Sequence, residues 1–380
     1  MRILITLLYY LPHRTGMQTY IQRMAEALVA RSHEVTLLVA WHDRSVPREE
    51  TVAGVRIVRV PVLPLRLSRG RLMPGYPMAL WRLARTHDVI SAHVPMLEAP
   101  MIAAVSKLQR KPLVVTHHGD LRLPAGAANR VIERMVFAGY RTLAAAAHRI
   151  VAYSEDYARH SSWLVPYAAK TTPIAPPIVI PLPEPGEVAR LRAELAPDGG
   201  PLIGFAGRFV EEKRPDLVIR ALEIIRKQRP HARVAFAGEH RIPYEDTWAR
   251  HAGLTKAQAD GLIFLGLKDD PRFMANFYAA CDVLALPSDG ECFGLVQVEA
   301  MLCGTPAVMA DTPGGRVPVK ATGMGLITPR GDAEALARSL LEVIDRREVY
   351  VKPRETIERA FPMEATVEAY ERLFAEAAAR

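Results

Sequence analysis

Two glutamates, Glu291 and Glu299, stand 299 − 291 = 8 residues apart in the stretch Ser288–Val308, SDGECFGLVQVEAMLCGTPAV. Mostly apolar and small residues fill the gap between them. VLALP ahead of them reads as a strand, Cys292–Gly294 as a turn and LVQVEAMLC as a helix. A helix start carries free N–H groups and a partial positive charge, so this turn can hold a phosphate. Glu291 then lies on the loop before the phosphate, and Glu299 in the second helical turn beyond it. Carboxylates accept hydrogen bonds from sugar hydroxyls. A nucleoside-diphosphate sugar fits the layout, with its ribose at Glu299 and the sugar to be transferred at Glu291. Taken alone, Glu291 is better explained by a cap or a partner of the helix dipole.

Other chemistries find less support. Asp289-Gly-Glu291 has the spacing of a metal-binding acidic pair, and His117-His118 offers two imidazoles, but no third ligand stands at usable spacing. No metal site is expected, and no cofactor beyond the nucleotide sugar. Glycines in the G-x-G-x-x-G pattern do not follow the first strand, which excludes a nicotinamide dehydrogenase of the usual kind. No lysine motif for pyridoxal phosphate, as a phosphorylase needs, is found.

The elements that must position these residues alternate between strand and helix, twice over. RILITLL, EVTLLVA, GVRIVRV, DVISAH, PLVVTHH and RIVAYS read as strands in the first half, with helices over Met17–Arg31, Leu97–Gln109 and Asn129–Ala147. Continuous apolar runs suit a parallel sheet buried on both faces. TTPIAPPIVIPLPEPG follows, too rich in proline for a helix, and reads as a stiff connector. LIGFAG, RVAFAG, LIFLG, VLALP and PAVMA then restart the pattern. The chain therefore divides into an N-terminal domain over 1–180, a second over 181–362 and a C-terminal helix over 363–380. Both domains are of the α/β, doubly wound class, and such sheets bind ligands at the carboxyl ends of their strands. His93, His117, His118, Asp120, Ser154, Arg208, Glu239 and Ser288–Glu291 all fall there.

Composition narrows the setting. The 380 residues are 49% hydrophobic, enough for two large cores, and carry a net charge of +8. No apolar run is long enough to span a membrane. MRILITLLYY lacks the cleavage site of a signal peptide and reads as a buried strand. The three cysteines, without C-x-x-C spacing, fit a reducing cytoplasm. Residues 1–185 hold 23 basic and 12 acidic residues, a balance of +11, which suggests an anionic partner or a generic arginine-rich surface. Tyr76–His87, YPMALWRLARTH, reads as a basic helix with one buried face. With that charge it makes an acidic membrane surface, at the inner face of the cell membrane, a candidate partner. Nucleic acid is not expected, because aromatics are 7% and not interleaved with the basic residues.

ECFGLVQVEAMLCGTPAV resembles the Glu-x7-Glu motif of retaining glycosyltransferases with the GT-B fold, within glycosyltransferase family 4. GFAGRFVEEKRPDLVIRAL, LPHRTGMQTYIQRMAEALVARSHEV and VAYSEDYARH extend the resemblance over nearly the whole chain. It implies two Rossmann-like domains facing each other across a cleft, the C-terminal helix returning to the first. It also implies that Arg208 and Lys213 meet the donor diphosphate, that the backbone at Phe293, Gly294 and Leu295 binds the distal phosphate and sugar, and that Glu291 and Glu299 hold sugar and ribose hydroxyls. Glu239 and the Gly266–Leu267 backbone would complete the donor site. Gly16 would let the first loop approach the phosphate, and His93 would lie near the sugar. Thr15, His118 and Asp120 would serve the acceptor, whose identity the motifs leave open. Many relatives have two glycines where this chain has Thr15-Gly16, which alters the acceptor loop.

The function implied is metal-independent, retaining transfer of a hexose-type sugar from a nucleotide sugar, UDP ahead of GDP, to an anionic or lipid-linked acceptor. The alternatives are a non-catalytic binder of nucleotide sugars or anionic polymers, and a sugar-nucleotide epimerase of the same fold.

Overall fold

The computed structural model describes the chain except residues 65, 68–69, 122, 124–125, 240–260 and 380 and the side chains of 66–67. It forms two units, Met1–Pro177 with Met363–Arg380, and Ile178–Pro362. The chain thus passes between the units twice.

Unit 1 is built on β1 (Arg2–Thr6), β2 (Glu34–Trp41), β3 (Glu49–Val52), β4 (Val55–Pro61), β5 (Arg66–Leu67), β6 (Gly70–Arg71), β7 (Val89–Val94), β8 (Leu113–His117), β9 (Arg149–Ala152) and β10 (Thr171–Pro173). All but the separate β5–β6 ribbon join one sheet in the order β10-β9-β8-β7-β1-β2-β4-β3. Every pair in it is parallel except β3–β4. Strand β7 is buried along its whole length, as expected of a parallel sheet covered on both faces. The helices are α1 (Gly16–Ala30), α2 (Tyr76–Thr86), α3 (Ala99–Leu108), α4 (Ala127–Ala146) and α5 (Glu155–His160). Leu80, Ile102 and Tyr140 from α2, α3 and α4 share one core with Leu4, Ala92, Val115 and Ile150 of the sheet.

The proline-rich segment is not wholly a connector. Thr171–Pro173 adds to the sheet edge as β10, where a proline is tolerated. Pro185 opens α6 (Pro185–Leu195), because the first helical turn does not need its missing N–H.

Unit 2 continues with β11 (Leu202–Ala206), α7 (Pro215–Arg226), β12 (Arg233–Ala237), β13 (Leu262–Gly266), α8 (Pro271–Ala280), β14 (Val283–Leu286), α9 (Leu295–Leu302) and β15 (Ala307–Ala310). It ends with α10 (Val317–Thr322), β16 (Gly325–Thr328), α11 (Ala333–Asp345), α12 (Arg347–Tyr350) and α13 (Arg354–Ala360). The sheet is parallel throughout, in the order β13-β12-β11-β14-β15-β16. Its strand order reverses between β11 and β14, and that of unit 1 between β1 and β7. Such switch points leave crevices for ligands beyond the strand ends.

The last helix, α14 (Met363–Ala378), belongs to unit 1. Its buried Tyr370 accepts a hydrogen bond from Tyr20 at 2.6 Å and is bonded to Thr116 at 2.8 Å. At its edge Glu371 takes Arg31 and His33, each at 2.8 Å. Among the described residues no helix is long and apolar enough to cross a membrane.

Candidate active site

In unit 2 the site grows from two loops at strand ends. Lys213 ends a 3₁₀ turn, Glu211–Lys213, between β11 and α7. Its Nζ donates directly to Glu291, whose Oε1 also accepts from Ser288 Oγ at 3.0 Å. The two side chains are only 22% and 11% exposed. Burial alone would push the Lys213 ammonium down; Glu291, with Glu212, outweighs it and holds the pKa above its ordinary value. Arg208, half-buried just beyond β11, acts against Lys213 as a like charge, so two cations gather at this end of the sheet.

The loop carrying Glu291 is tied down on several sides. The Asp289 N–H donates to the Glu212 carbonyl at 2.9 Å. Arg214 reaches the Asp289 carboxylate at 3.3 Å and Asp216 at 2.9 Å, and Arg330 bonds the Asp289 carbonyl at 2.9 Å. Glu291 itself forms an isolated parallel bridge with Gly314.

Beyond Glu291 the chain turns into α9 through Phe293 and Gly294. Phe293 is buried edge-on to Phe361, with ring centroids 5.3 Å apart. Gly294 has φ +75°, and a Cβ there would lie 2.6 Å from Gln297 Nε2 and 3.0 Å from Leu286 Cδ2. Only glycine meets both demands. The fully buried Gln297 amide donates to the Phe293 carbonyl at 2.9 Å and the Gly315 carbonyl at 2.7 Å. Leu295 is the first residue of α9, and Glu299, in its second turn, accepts from Tyr278 Oη at 3.2 Å. Glu239 is exposed and its carbonyl takes the Phe209 N–H at 2.8 Å. Leu267 is 60% exposed just past β13.

In unit 1 the strand ends hold a chain of neutral imidazoles. His93 Nδ1 lies 2.7 Å from His118 Nε2, His93 Nε2 lies 3.2 Å from Ser91 Oγ, and His118 Nδ1 bonds Tyr153 Oη. Burial pushes the His93 pKa down to about 3. Burial, then the neighbouring histidines, hold His118 well below its ordinary value. Each ring thus donates once and accepts once along Tyr153–His118–His93–Ser91. Tyr20 stacks on Tyr153 with centroids 5.2 Å apart and meets His118 edge-on. Asp120 bonds His117 Nε2 at 2.9 Å and also Ser161 and Tyr157. Burial would raise its pKa, but those bonds, His117 first, hold it below the usual carboxylate range. Thr15 stands at the N-cap position of α1 in extended conformation, but its hydroxyl donates to the Gln18 side chain and caps no backbone N–H; Gly16 is the first helical residue.

Several residues singled out in the sequence are therefore in direct contact: Lys213 with Glu291, and His93 with His118. Asp120 turns to His117 rather than to His118. Gln297, Tyr153, Tyr20 and Tyr370 were not singled out. Gln297 stands inside the Glu-x7-Glu interval, the one polar residue in it, and that was a usable signal. Tyr370 lies 350 residues from the Tyr20 it bonds, and no spacing reveals such a pair. Among the described residues no group of three or more His, Cys, Asp and Glu side chains is placed to hold a metal ion.

Comparison with solved structures gives the fold. An Anabaena protein, HepE, in complex with UDP and glucose shares the fold with a TM-score of 0.80 at 20% identity, covering 99% of this chain and 100% of its own. Sucrose-phosphate synthase from Thermosynechococcus elongatus matches with a TM-score of 0.77 at 21% identity, covering 99% of each chain. The chain has the two-domain α/β architecture of the GT-B fold.

The family follows from sequence. The model of glycosyl transferases group 1 matches residues 189–360, and that of the glycosyl transferase 4-like domain matches residues 15–177. D-inositol 3-phosphate glycosyltransferase from Kineococcus radiotolerans is 30% identical, over 96% of this chain and 92% of its own length. The enzyme of that name from Saccharomonospora viridis is 29% identical, over 88% and 82%. The chain belongs to the glycosyl transferases group 1, the family 4 type.

Proposed function

We propose that this glycosyltransferase moves a hexose-type sugar from a nucleoside-diphosphate sugar, UDP ahead of GDP, to a hydroxyl group of an anionic acceptor. In this reading the anomeric configuration is retained and no metal ion is used. The observation that carries the proposal is the Lys213–Glu291 pair beside Arg208, held at the strand ends of unit 2 just ahead of the α9 N-terminus. Two cations and a helix start offer fixed positive charge where a diphosphate would depart. The HepE complexes with UDP and with UDP-glucose support the choice of base. The relatives named for D-inositol 3-phosphate support a phosphorylated acceptor.

As the donor diphosphate approaches Lys213, it competes with Glu291 for the ammonium. Glu291 then turns its acceptor oxygens to the sugar hydroxyls. The acceptor oxygen bonds to the anomeric carbon on the face that the phosphate leaves. The C–O bond to phosphate breaks with its electron pair, and the acceptor proton passes to the departing phosphate oxygen. Lys213 and Arg208 stabilise the charge that grows on the leaving group.

Thermal shifts with UDP, GDP, dTDP and ADP, each with magnesium or with EDTA, test the donor site. A ligand at 100 times its Kd stabilises by about 2.7 kcal/mol, or several degrees in Tm. UDP should raise Tm most, and equally in EDTA. No shift with any nucleotide, or one that needs magnesium, would overturn the proposal. Proton NMR of the first product formed reads the anomeric configuration.

A further inference from the structure

We infer that the outer face of α2, α3 and α4 docks on a membrane surface carrying anionic headgroups. This rests on unit 1 alone and not on the donor reading above. The three helices cover one side of the unit 1 sheet, with α3 between the other two. A Cβ on Gly139 of α4 would lie 3.0 Å from Pro100 of α3, and Gln109 at the end of α3 donates to the Trp81 carbonyl of α2 at 2.9 Å.

Each helix buries an apolar stripe in the core, yet each also shows large apolar side chains to solvent. On α2 these are Met78, 65% exposed, and Trp81. On α3 they are Met101 and Leu108, the latter 72% exposed, and on α4 Val131 and Met135. Such side chains scattered singly need no explanation; six on three adjacent helices do.

The charges on this face are of one sign. Exposed beside the apolar residues stand Arg82 and Arg85 on α2, Lys107 on α3, and Arg130, Arg134 and Arg141 on α4. None is ion-paired among the described residues. The one acidic residue within the three helices, Glu133, is partly buried and accepts from the Leu123 N–H.

Unit 2 shows what an ordinary solvated face looks like in this protein. The exposed residues of α11 include Glu334 and Arg338, Glu342 and Asp345, with ion pairs at helical spacing from Glu334 to Arg338 and from Glu342 to Arg346, and no large apolar side chain is exposed on it.

The pairing of basic and aliphatic groups selects the partner. Anionic headgroups attract the six cations, and the acyl boundary takes the methionine, leucine and tryptophan side chains. Nucleic acid would use the cations but leave the aliphatic groups in water. A second copy of the same face would bring like charges together.

Co-sedimentation of the full chain with phosphatidylcholine vesicles, with and without phosphatidylglycerol, tests the inference. The protein should pellet with the mixed vesicles at low salt, stay in solution with pure phosphatidylcholine, and be released by added salt. Met78→Ser/Leu108→Ser/Met135→Ser and Arg82→Gln/Arg130→Gln/Arg134→Gln should each weaken partitioning about tenfold or more with Tm unchanged. In the unsubstituted chain, tryptophan emission should shift to the blue on mixed vesicles, and Trp81→Phe should abolish that shift, so the test does not hang on the triple variants folding. Absence of pelleting would overturn the inference. So would binding insensitive to the apolar variant, which marks a polyanion site. A lipid-free dimer dissolved by the apolar variant would mark a protein interface instead and overturn it too.

Discussion

Lys213 and Glu291, 78 residues apart in the chain, form a direct ion pair in which the carboxylate keeps one further bond, to the buried Ser288. Neither charge is well solvated, so each depends on the other. Lys213→Met leaves Glu291 half-desolvated without its cation and should cost about 3 kcal/mol of stability. Adding Glu291→Leu removes the orphaned charge and should recover most of that loss in urea melts. Transfer should not recover; a decrease on the order of 10²-fold or more should persist in the double variant. A stable double variant with near-normal turnover would show that the pair is structural only.

Gln297 is predicted to act through the turn it holds. Gln297→Met keeps the volume and removes both hydrogen bonds, leaving the Phe293 and Gly315 carbonyls without that donor. The loss should be about 1–3 kcal/mol in stability. If the Phe293–Gly294 backbone binds donor phosphate, KM for the donor should rise more than kcat falls. Equal thermal shifts by UDP in variant and parent would leave Gln297 with a packing role alone.

Most strands were legible as short apolar runs, and the helices of unit 1 by one buried stripe each; α8 and α11 of unit 2 were not singled out. Helix ends came within one or two residues: Met17–Arg31 was expected where Gly16–Ala30 forms. Strand β3 was not legible, since EETV has no apolar pattern and is held by pairing with β4 at the sheet edge. Strand β16 was missed because GLIT is four residues long and takes its register from β15. Of the candidate site, strand-end position and spacing singled out Glu291, His93 and His118, and Lys213 was singled out through the family resemblance. They did not reveal that these residues bond to one another, because tertiary packing, not spacing, brings Lys213 to Glu291.

The imidazoles of unit 1 predict an acid-sensitive fold. A histidine whose pKa is about 3 in the folded state and about 6.5 unfolded takes up a proton first in the unfolded chain. Stability is unaffected above the unfolded value and falls as pH drops below it. At pH 5 His93 alone should cost about 2 kcal/mol relative to pH 8. His93→Asn removes the titrating group, so the difference between urea melts at the two pH values should shrink by about that amount. An unchanged difference would mean that His93 is protonated in the folded protein.

The C-terminal helix is predicted to be held by its buried hydroxyl more than by its surface charges. Tyr370 Oη lies between Tyr20 and Thr116, both buried, so Tyr370→Phe leaves two buried hydroxyls short of a partner. That should cost about 1–3 kcal/mol. Glu364→Gln removes one of several carboxylates around Arg31 and is 75% exposed, so solvent screens the pair and the urea midpoint should hardly move. Hydrogen exchange should then quicken in α1 and β8 for Tyr370→Phe, because Tyr20 and Thr116 lie on those elements, while Glu364→Gln leaves both protected. The reverse order of effects would place the anchor of α14 in its ion pairs with Arg31.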